Sequence, residues 1–486
     1  MDRIFYLRNQ IYKNRSPQLR INNDAGAFDF LGKTKKDKVE AVLLKILPGE
    51  NQAVVEARKK REKIFGYIID FWERSLITAP YMKNLGKGLN LAPYPFLTPS
   101  GKFNGNDFSF SEQYRWDTFF QNRGLILIGG YHLAINQLLN FVDVFKRYKR
   151  VPNALTTWFM SHSQPPLDMI SLFDLLSAGV PKGSWLPQIV DMVEQELLTE
   201  WWDYGSEKQL PRQTKKLIEK FGLLTRYNSI HFHPLLDSCE DGKDHNWTTT
   251  TYGSDYLPVQ LNAIIYGIIN RLISYYEDPD LGNNYQRVHI YQGLRQKLYS
   301  DFQKIFWVDK GRWRGFRNFS IKPGQEKPIY YGDLAAEIWP LFFRIATDQQ
   351  AEITKQNLEK YYKGEYGLAA TSLALRKGGS IKKAPEGYHS FQWEYPNCWP
   401  PLMMVAVDGL KNYGYVNEAI EYEKQWISHI EKEFERIHGF TEKQPYTSRV
   451  NVSNGYYGVL KGFGWTISTY LYFLHDLVLF NDVGRQ

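Results

Sequence analysis

The chain has 486 residues, with 14 Trp, 33 Tyr, two cysteines and a net charge of +8. That length holds one large domain or two to three ordinary ones. No apolar run approaches the roughly 20 residues needed to span a bilayer. Two cysteines are few for a secreted protein of this size, and Met1–Asn9 lacks the unbroken apolar stretch of a secretion signal, so the expectation is a soluble cytoplasmic protein. The runs Lys33–Lys38 and Arg58–Lys63 are interrupted by acids, as on a solvated helix face. No basic module interleaved with stacking aromatics accompanies them, so neither nucleic acid nor membrane is expected as a partner.

Residues 1–50 carry no strong period and read as an extension laid over a domain that begins at residue 51. From about Val54 to Leu76 the period is helical, with Ile64, Ile68, Phe71 and Trp72 on one stripe. Residues 78–113 form a Pro/Gly/Asn-rich loop of a length that is usually functional. A helix begins near Asp117 and another runs from Tyr131 to Tyr148. After the loop Val151–Pro166, helices are expected near 167–178, 186–203 and 212–222. Two more follow near 256–276 and 284–305, then a hairpin over Trp307–Phe319. The last helices fall near 333–345, 349–362, 396–410, 415–436 and 464–480. Long helices alternating with polar or aromatic loops, without βαβ spacing, predict an all-α chain with no linker dividing residues 51–486. A closed ring of helical hairpins would bring alternate loops to one mouth. An open helical-repeat scaffold is disfavoured because no fixed period of roughly 34–47 residues recurs.

Five stretches stand out against that background. His233–Trp247 gathers four acids, Asp237, Glu240, Asp241 and Asp244, together with Gly242, two histidines and a tryptophan, in an otherwise mostly apolar chain. Ser111–Phe120 sets Tyr114 and Trp116 beside Asp117, a pairing that suits a sugar ring and its hydroxyls, or equally a core Trp beside a helix cap. Pro152–Trp158 and Ser161–Pro166 offer Asn153, Ser163 and Gln164 on stiff backbone. Phe391–Pro401 places Gln392, Trp393, Tyr395 and Trp399 among three prolines, a rigid aromatic wall. Glu442 precedes the cluster Gly462-Phe-Gly-Trp465-Thr466. Carboxylates from distant parts of the chain, aromatic platforms and amides, without a phosphate-binding glycine loop, are what glycoside hydrolysis uses.

Read together, these stretches resemble the trehalases of glycoside hydrolase family 37. Glu112-Gln-Tyr114-Arg-Trp116-Asp117 resembles the end of the family's first signature. Gln392-Trp393-Glu394-Tyr395-Pro396-Asn397-Cys398-Trp399-Pro400-Pro401 resembles its second, with Glu394 in place of the usual Asp. The Asp244 stretch is more similar to the related family 63 glucosidases. The resemblance implies an (α/α)6 toroid of the six-hairpin glycosidase type with long active-site loops, inversion of configuration, and no cofactor or metal. It makes Asp244 the general acid and Glu442 the general base. Trp116, Asp117, Asn153, Ser163, Gln164 and Gly242 become sugar contacts, and Tyr114, Glu240, Gln392 and Trp393 complete the expected substrate-binding set. An inverting pair should stand roughly 6.5–9.5 Å apart to admit a water. Burial beside Glu240 and Asp241 would raise Asp244 toward the acid role.

The departures concern the contacts that hold the second sugar. His162 stands where trehalases carry an Arg before Ser-Gln-Pro-Pro, and Lys102 and Phe103 occupy the region of another family Arg. An Arg-Pro-Glu motif has no counterpart near Leu224–His233, and Tyr456 aligns with a family Glu. Losing charged bidentate contacts changes specificity more than chemistry. The expected substrate is a small α-glucoside, either trehalose or an osmolyte glucoside of glycerol or glycerate. A non-catalytic sugar-binding relative is the reading from another class, disfavoured by the retention of both Asp244 and Glu442. A metal site at His231, His233, Asp237, Cys239 and Asp241 matches no zinc or EF-hand spacing. The oligomeric state is open.

Overall fold

A computed structural model describes residues 27–78, 89–100, 110–202, 215–227, 239–243, 246–248, 255–376, 391–452, 455 and 458–483. Among them the chain is helical with short strands: α1 Lys35–Ile46, α2 Gln52–Ser75, α3 Arg115–Leu127, α4 Tyr131–Tyr148, α5 Asp168–Ser177, α6 Trp185–Glu196 and α7 Lys215–Phe221. There follow α8 Val259–Glu277, α9 Tyr285–Phe306, α10 Leu334–Phe342, α11 Asp348–Asn357, α12 Pro400–Asn412, α13 Val416–Ile437 and α14 Gly464–Val483.

Two layers emerge from which helices touch. α3, α5, α8, α10, α12 and α14 pack each against the next, and α14 packs back onto α3, closing a ring. Around that ring α4 lies on α3, α6 on α5, α9 on α8, α11 on α10 and α13 on α12. α2 reaches the closing helix and its outer neighbour through Phe65 against Tyr470 and Arg61 against Glu431. Six inner and six outer helices make an (α/α)6 toroid. The sequence separates the layers in physical terms. Inner helices are buried nearly all round: α12 buries Pro400 through Val407 without interruption, and α3 buries Arg115 through Asn122 likewise, polar side chains included. Outer helices carry one apolar stripe, as in α13, where Ala419, Tyr422, Trp426, Ile430 and Phe434 are buried and the opposite face is charged.

Element boundaries follow local chemistry. α4 spans Tyr131–Tyr148, the bounds its period predicts. α12 begins at Pro400, later than the period suggests, because Pro400 and Pro401 suit only a first helical turn. α8 begins at Val259, after Tyr256–Leu257 has paired with Phe319–Ser320 and Pro258 has set the N-cap. The expected hairpin forms between Trp307–Val308 and Gly315–Phe316. α1, for which the period gave no sign, is held by a capping box at Thr34 and Asp37 and packs Val39, Val42, Leu43 and Ile46 inward. Its burial comes from α2 and α14, so its stability is tertiary.

The chemistry-bearing stretches share a topological position. Residues 111–114 run into α3, 151–166 into α5, 239–248 lie ahead of α8, 391–399 run into α12 and 441–463 into α14. Each precedes an inner helix, so a closed ring gathers them at one mouth.

Candidate active site

The first two loops are stitched together by backbone. Tyr114 and Ala154 form an antiparallel bridge, and the Arg115 N–H donates to the Asn153 carbonyl. The Gln164 side chain accepts from the Trp116 N–H at 2.8 Å. The loops are anchored to the ring by Arg115, whose guanidinium is fully buried between Asp168 of α5 and Glu196 of α6. That ion pairing fixes the backbone immediately before Trp116.

The stretch that carries Asp244 docks on the same pair of loops. Ser163 donates through both its N–H and its hydroxyl to Glu240 Oε1, each at 3.0 Å. Asn153 Nδ2 donates to the Cys239 carbonyl at 3.1 Å. Gly242 has φ +76°, and a Cβ there would lie 2.5 Å from Trp116 Cδ2, so backbone runs directly against the indole. Asp241 folds the turn on itself: its carboxylate accepts from the Lys243 N–H at 2.9 Å and from Asn246 Nδ2 at 3.0 Å. Burial pushes the Asp241 carboxyl up to about 6 despite the Lys243 ammonium beside it. Lys243 reaches across to Asp333, the N-cap of α10, at 2.8 Å, and Asn318 donates to the same carboxylate. Asp244 itself, with His245, lies outside the described residues, and so does its distance to Glu442. Its neighbours Lys243 and Asn246 are buried and held.

The aromatic wall completes the assembly. Trp393 stacks on Trp399 with centroids 3.8 Å apart and planes 5° apart. Trp116 meets Trp393 edge-on at 6.4 Å, and Trp465 meets both Trp393 and Trp399 at 5.8 Å. The Trp116 indole N–H is buried and meets no acceptor among the described residues. Glu394 turns away from this wall. It accepts from the Trp247 N–H at 3.0 Å and from Tyr331 and Thr371, locking the far end of the Asp244 stretch. Gln392 is fully buried and its carbonyl accepts from Asn397 Nδ2.

Glu442 sits at the other end of the wall. Asn397–Cys398 pairs with Gln444–Pro445, which fixes the segment in register. The Glu442 N–H donates to Leu460, and its carbonyl accepts from Trp465 Nε1 at 2.8 Å. The side chain is fully buried. A continuous run of contacts, Gly242 to Trp116 to Trp393 to Trp399 to Trp465 to Glu442, therefore joins the Asp244 stretch to Glu442. Tyr114, Asn153, Ser163, Gln164, Glu240 and Gln392 all lie on loops bonded into that run. Asp117 is buried in the first turn of α3. The histidines and Asp237 of the alternative metal reading lie outside the described residues.

The model of the trehalase family matches residues 36–220 and 236–478. The chain belongs to the trehalase family. A periplasmic trehalase of Xanthomonas axonopodis pv. citri is 26% identical over 412 residues, which cover 77% of this chain and 66% of the relative. The chain thus spans just under two thirds of the length of the curated relatives it matches. Among solved structures, the neutral trehalase of Saccharomyces cerevisiae is similar with a TM-score of 0.63 and 19% identity, over 78% of this chain and 73% of that one. A family 63 mannosylglycerate hydrolase of Thermus thermophilus, solved with Tris and D-glycerate, is similar with a TM-score of 0.57 and 13% identity, over 86% of this chain and 100% of that one. At those identities the likeness is one of fold, and the fold is the six-hairpin ring.

Within this trehalase-family chain the rewritten positions are partly visible. His162 is buried, its Nδ1 2.8 Å from the Ser161 hydroxyl, and its carbonyl accepts from the Asn153 N–H. It thus braces the loop that holds Asn153. Lys102, Phe103 and Tyr456 lie outside the described residues. Lys243, Asp333 and Glu394 support the candidate site but do not stand out in the sequence. Glu394 alone carried a signal, as the departure inside the second signature.

Proposed function

We propose that the protein is an inverting glycoside hydrolase that releases glucose from a small α-glucoside. Asp244 serves as general acid and Glu442 as general base. The observation that carries the reading is the indole run from Gly242 to Glu442. It sets a fully buried carboxylate and the Asp244 stretch at two ends of one aromatic wall. Glucose stacks against the wall, while Trp116, Asp117, Asn153, Ser163, Gln164, Tyr114, Glu240, Gln392 and the Gly242 backbone shape its hydroxyl contacts. Asp244 protonates the glycosidic oxygen as the anomeric C–O bond breaks with its electron pair going to that oxygen. Glu442 takes a proton from water as the water oxygen bonds to the anomeric carbon from the opposite face, so β-glucose is released.

An aglycone smaller than glucose, such as glycerol or glycerate, fits the loss of charged contacts where His162 and Tyr456 stand in place of the family's Arg and Glu, and trehalose stays in the set to be tested. Trehalose, glucosylglycerol and glucosylglycerate are the candidates. Cytoplasmic residence is part of the proposal, supported by the low cysteine count of two in 486 residues. The relatives named above as periplasmic make cell fractionation its test. Asp244→Asn and Glu442→Gln are each expected to reduce turnover at least 10³-fold, an order-of-magnitude figure for losing an essential proton-transfer group, with the circular dichroism unchanged. The decisive assay is sugar release from trehalose, glucosylglycerol, glucosylglycerate, mannosylglycerate and a gluco-oligosaccharide, with NMR of the first-formed anomer. Release of α-glucose from glucosylglycerol or glucosylglycerate would reject inversion, whereas inverting cleavage of trehalose gives one β-glucose and one α-glucose, the leaving sugar keeping its configuration; no release from any of them would favour a sugar-binding protein.

A further inference from the structure

Lys443 follows the proposed base and is one of the least exposed charged side chains of the molecule, at 0%. Its ammonium forms no hydrogen bond among the described residues. A buried ammonium without an acceptor is costly, and a fold retains one when something else compensates. Here the nitrogen lies 5.3 Å from the centre of the Trp399 ring, within cation–π range. The Trp393–Trp399 stack thereby ends in a positive charge, next to Glu442.

Among the described residues the surrounding charges are few. On its own segment Glu442 is the group whose charge acts on it, favouring the ammonium. From the paired strand the nearest titratable group is the Cys398 thiol, pushed up to about 12 by burial and therefore neutral. From α13, Glu433 faces the segment through the Thr441 hydroxyl at 3.1 Å. Lys461, across the bridge from Thr441, spends its ammonium on the Ile437 carbonyl at 2.6 Å. The first turn of α14 brings Trp465 and Thr466, which are uncharged. A base that accepts a proton from water has to be ionised beforehand, and full burial works against that.

We propose that Lys443 is a positioning residue of the reaction: its ammonium, clamped on Trp399, keeps the adjacent Glu442 carboxylate ionised and ready to accept a proton from water. The inference rests on Glu442 being the base. Burial pushes the Lys443 ammonium down to about 8, and the charged form is still the main one at neutral pH. The sign of its stability effect is then fixed. A lysine depressed in the folded state contributes stability at high pH that is lost as pH falls through about 8, so at pH 7 the charge costs stability.

The test uses α-glucosyl fluoride as substrate, because fluoride leaves with little help from an acid and the rate reports the base. The full-length chain is compared with Lys443→Met and Lys443→Arg, with Glu442→Gln as reference. Lys443→Met is expected to move the acidic limb of the kcat/KM profile upward by roughly one pH unit, the size of one close charge interaction. Its melting temperature at pH 7 should not fall. Lys443→Arg, which keeps the charge, is expected to keep the wild-type limb. An unmoved limb in Lys443→Met, or a melting temperature that drops along with activity, overturns the proposal in favour of a packing role. An inactive Glu442→Gln beside an unmoved limb means that the Lys443 idea alone has failed. An active Glu442→Gln, or a wild-type chain that releases no fluoride, removes the base assignment and the proposal with it.

Discussion

Asp241 shows how a single side chain in the Asp244 stretch is committed to shape rather than chemistry. Its carboxylate accepts from the Lys243 N–H and from Asn246, the described residues that flank Asp244. Burial raises it from 3.8 to about 6, against the pull of Lys243. A carboxyl raised on folding contributes stability that is fully present below its unfolded value and is lost as pH rises through its folded one. The unfolding free energy of wild type relative to Asp241→Asn is therefore expected to decline between about pH 4 and about pH 6.5 and then level off. Urea titrations of both proteins across that range check it, and a constant difference would reject the burial argument. Gly242 carries the complementary lesson. Its place in a family motif was readable, while the reason for it, an indole face 2.5 Å from where a Cβ would stand, comes from a residue more than a hundred positions earlier.

At the scale of elements, the start of α3 is the joint between the ring and the site. Arg115 is buried against Asp168 and Glu196, so α3, α5 and α6 share one charge cluster. The two carboxylates cannot be rehydrated if the guanidinium is removed. Arg115→Met should lower stability by about 3–5 kcal/mol, the range for stripping one partner from a buried ion pair. It should also weaken sugar binding, because Trp116 follows directly. Denaturant unfolding checks the first effect, and a loss below about 1 kcal/mol would mean that the cluster relaxes at little cost. The sequence suggested Asp117 and Trp116 and passed over Arg115, since an Arg inside a motif reads as a surface charge until its burial is known. Lys443 and Lys243 were invisible for the same reason.

For the whole molecule, closure is the property that matters. α14 returns to α3, where Gly124 accepts the Ser468 side chain so closely that a Cβ would lie 2.5 Å from its Oγ and 2.9 Å from its Cα. The contact joins the last helix to the first of the ring. Gly124→Val is expected to wedge it open and cost more than about 2 kcal/mol, as overpacking of a tight interior does. Activity should fall with it, because the segment bearing Glu442 enters α14. Thermal unfolding together with sugar release measures both, and a variant as stable as wild type would show that the ring tolerates a wider joint.

What the sequence determined by itself is local. Helix spans such as Tyr131–Tyr148 and the motif loops ahead of the inner helices follow from periodicity, turn chemistry and residue type, which act over a few positions. The resemblance to trehalases also lives in those motifs. Tertiary structure decided the rest. It made α1 a helix by covering its apolar face, and it wound the ends of the helices expected near 186–203 and 349–362 into π-helical turns over Leu197–Trp201 and Leu358–Tyr362. It turned Glu394 toward Trp247 and buried Lys443 on Trp399. Burial and charge pairing depend on what arrives from distant parts of the chain, and no local pattern encodes which residue that is.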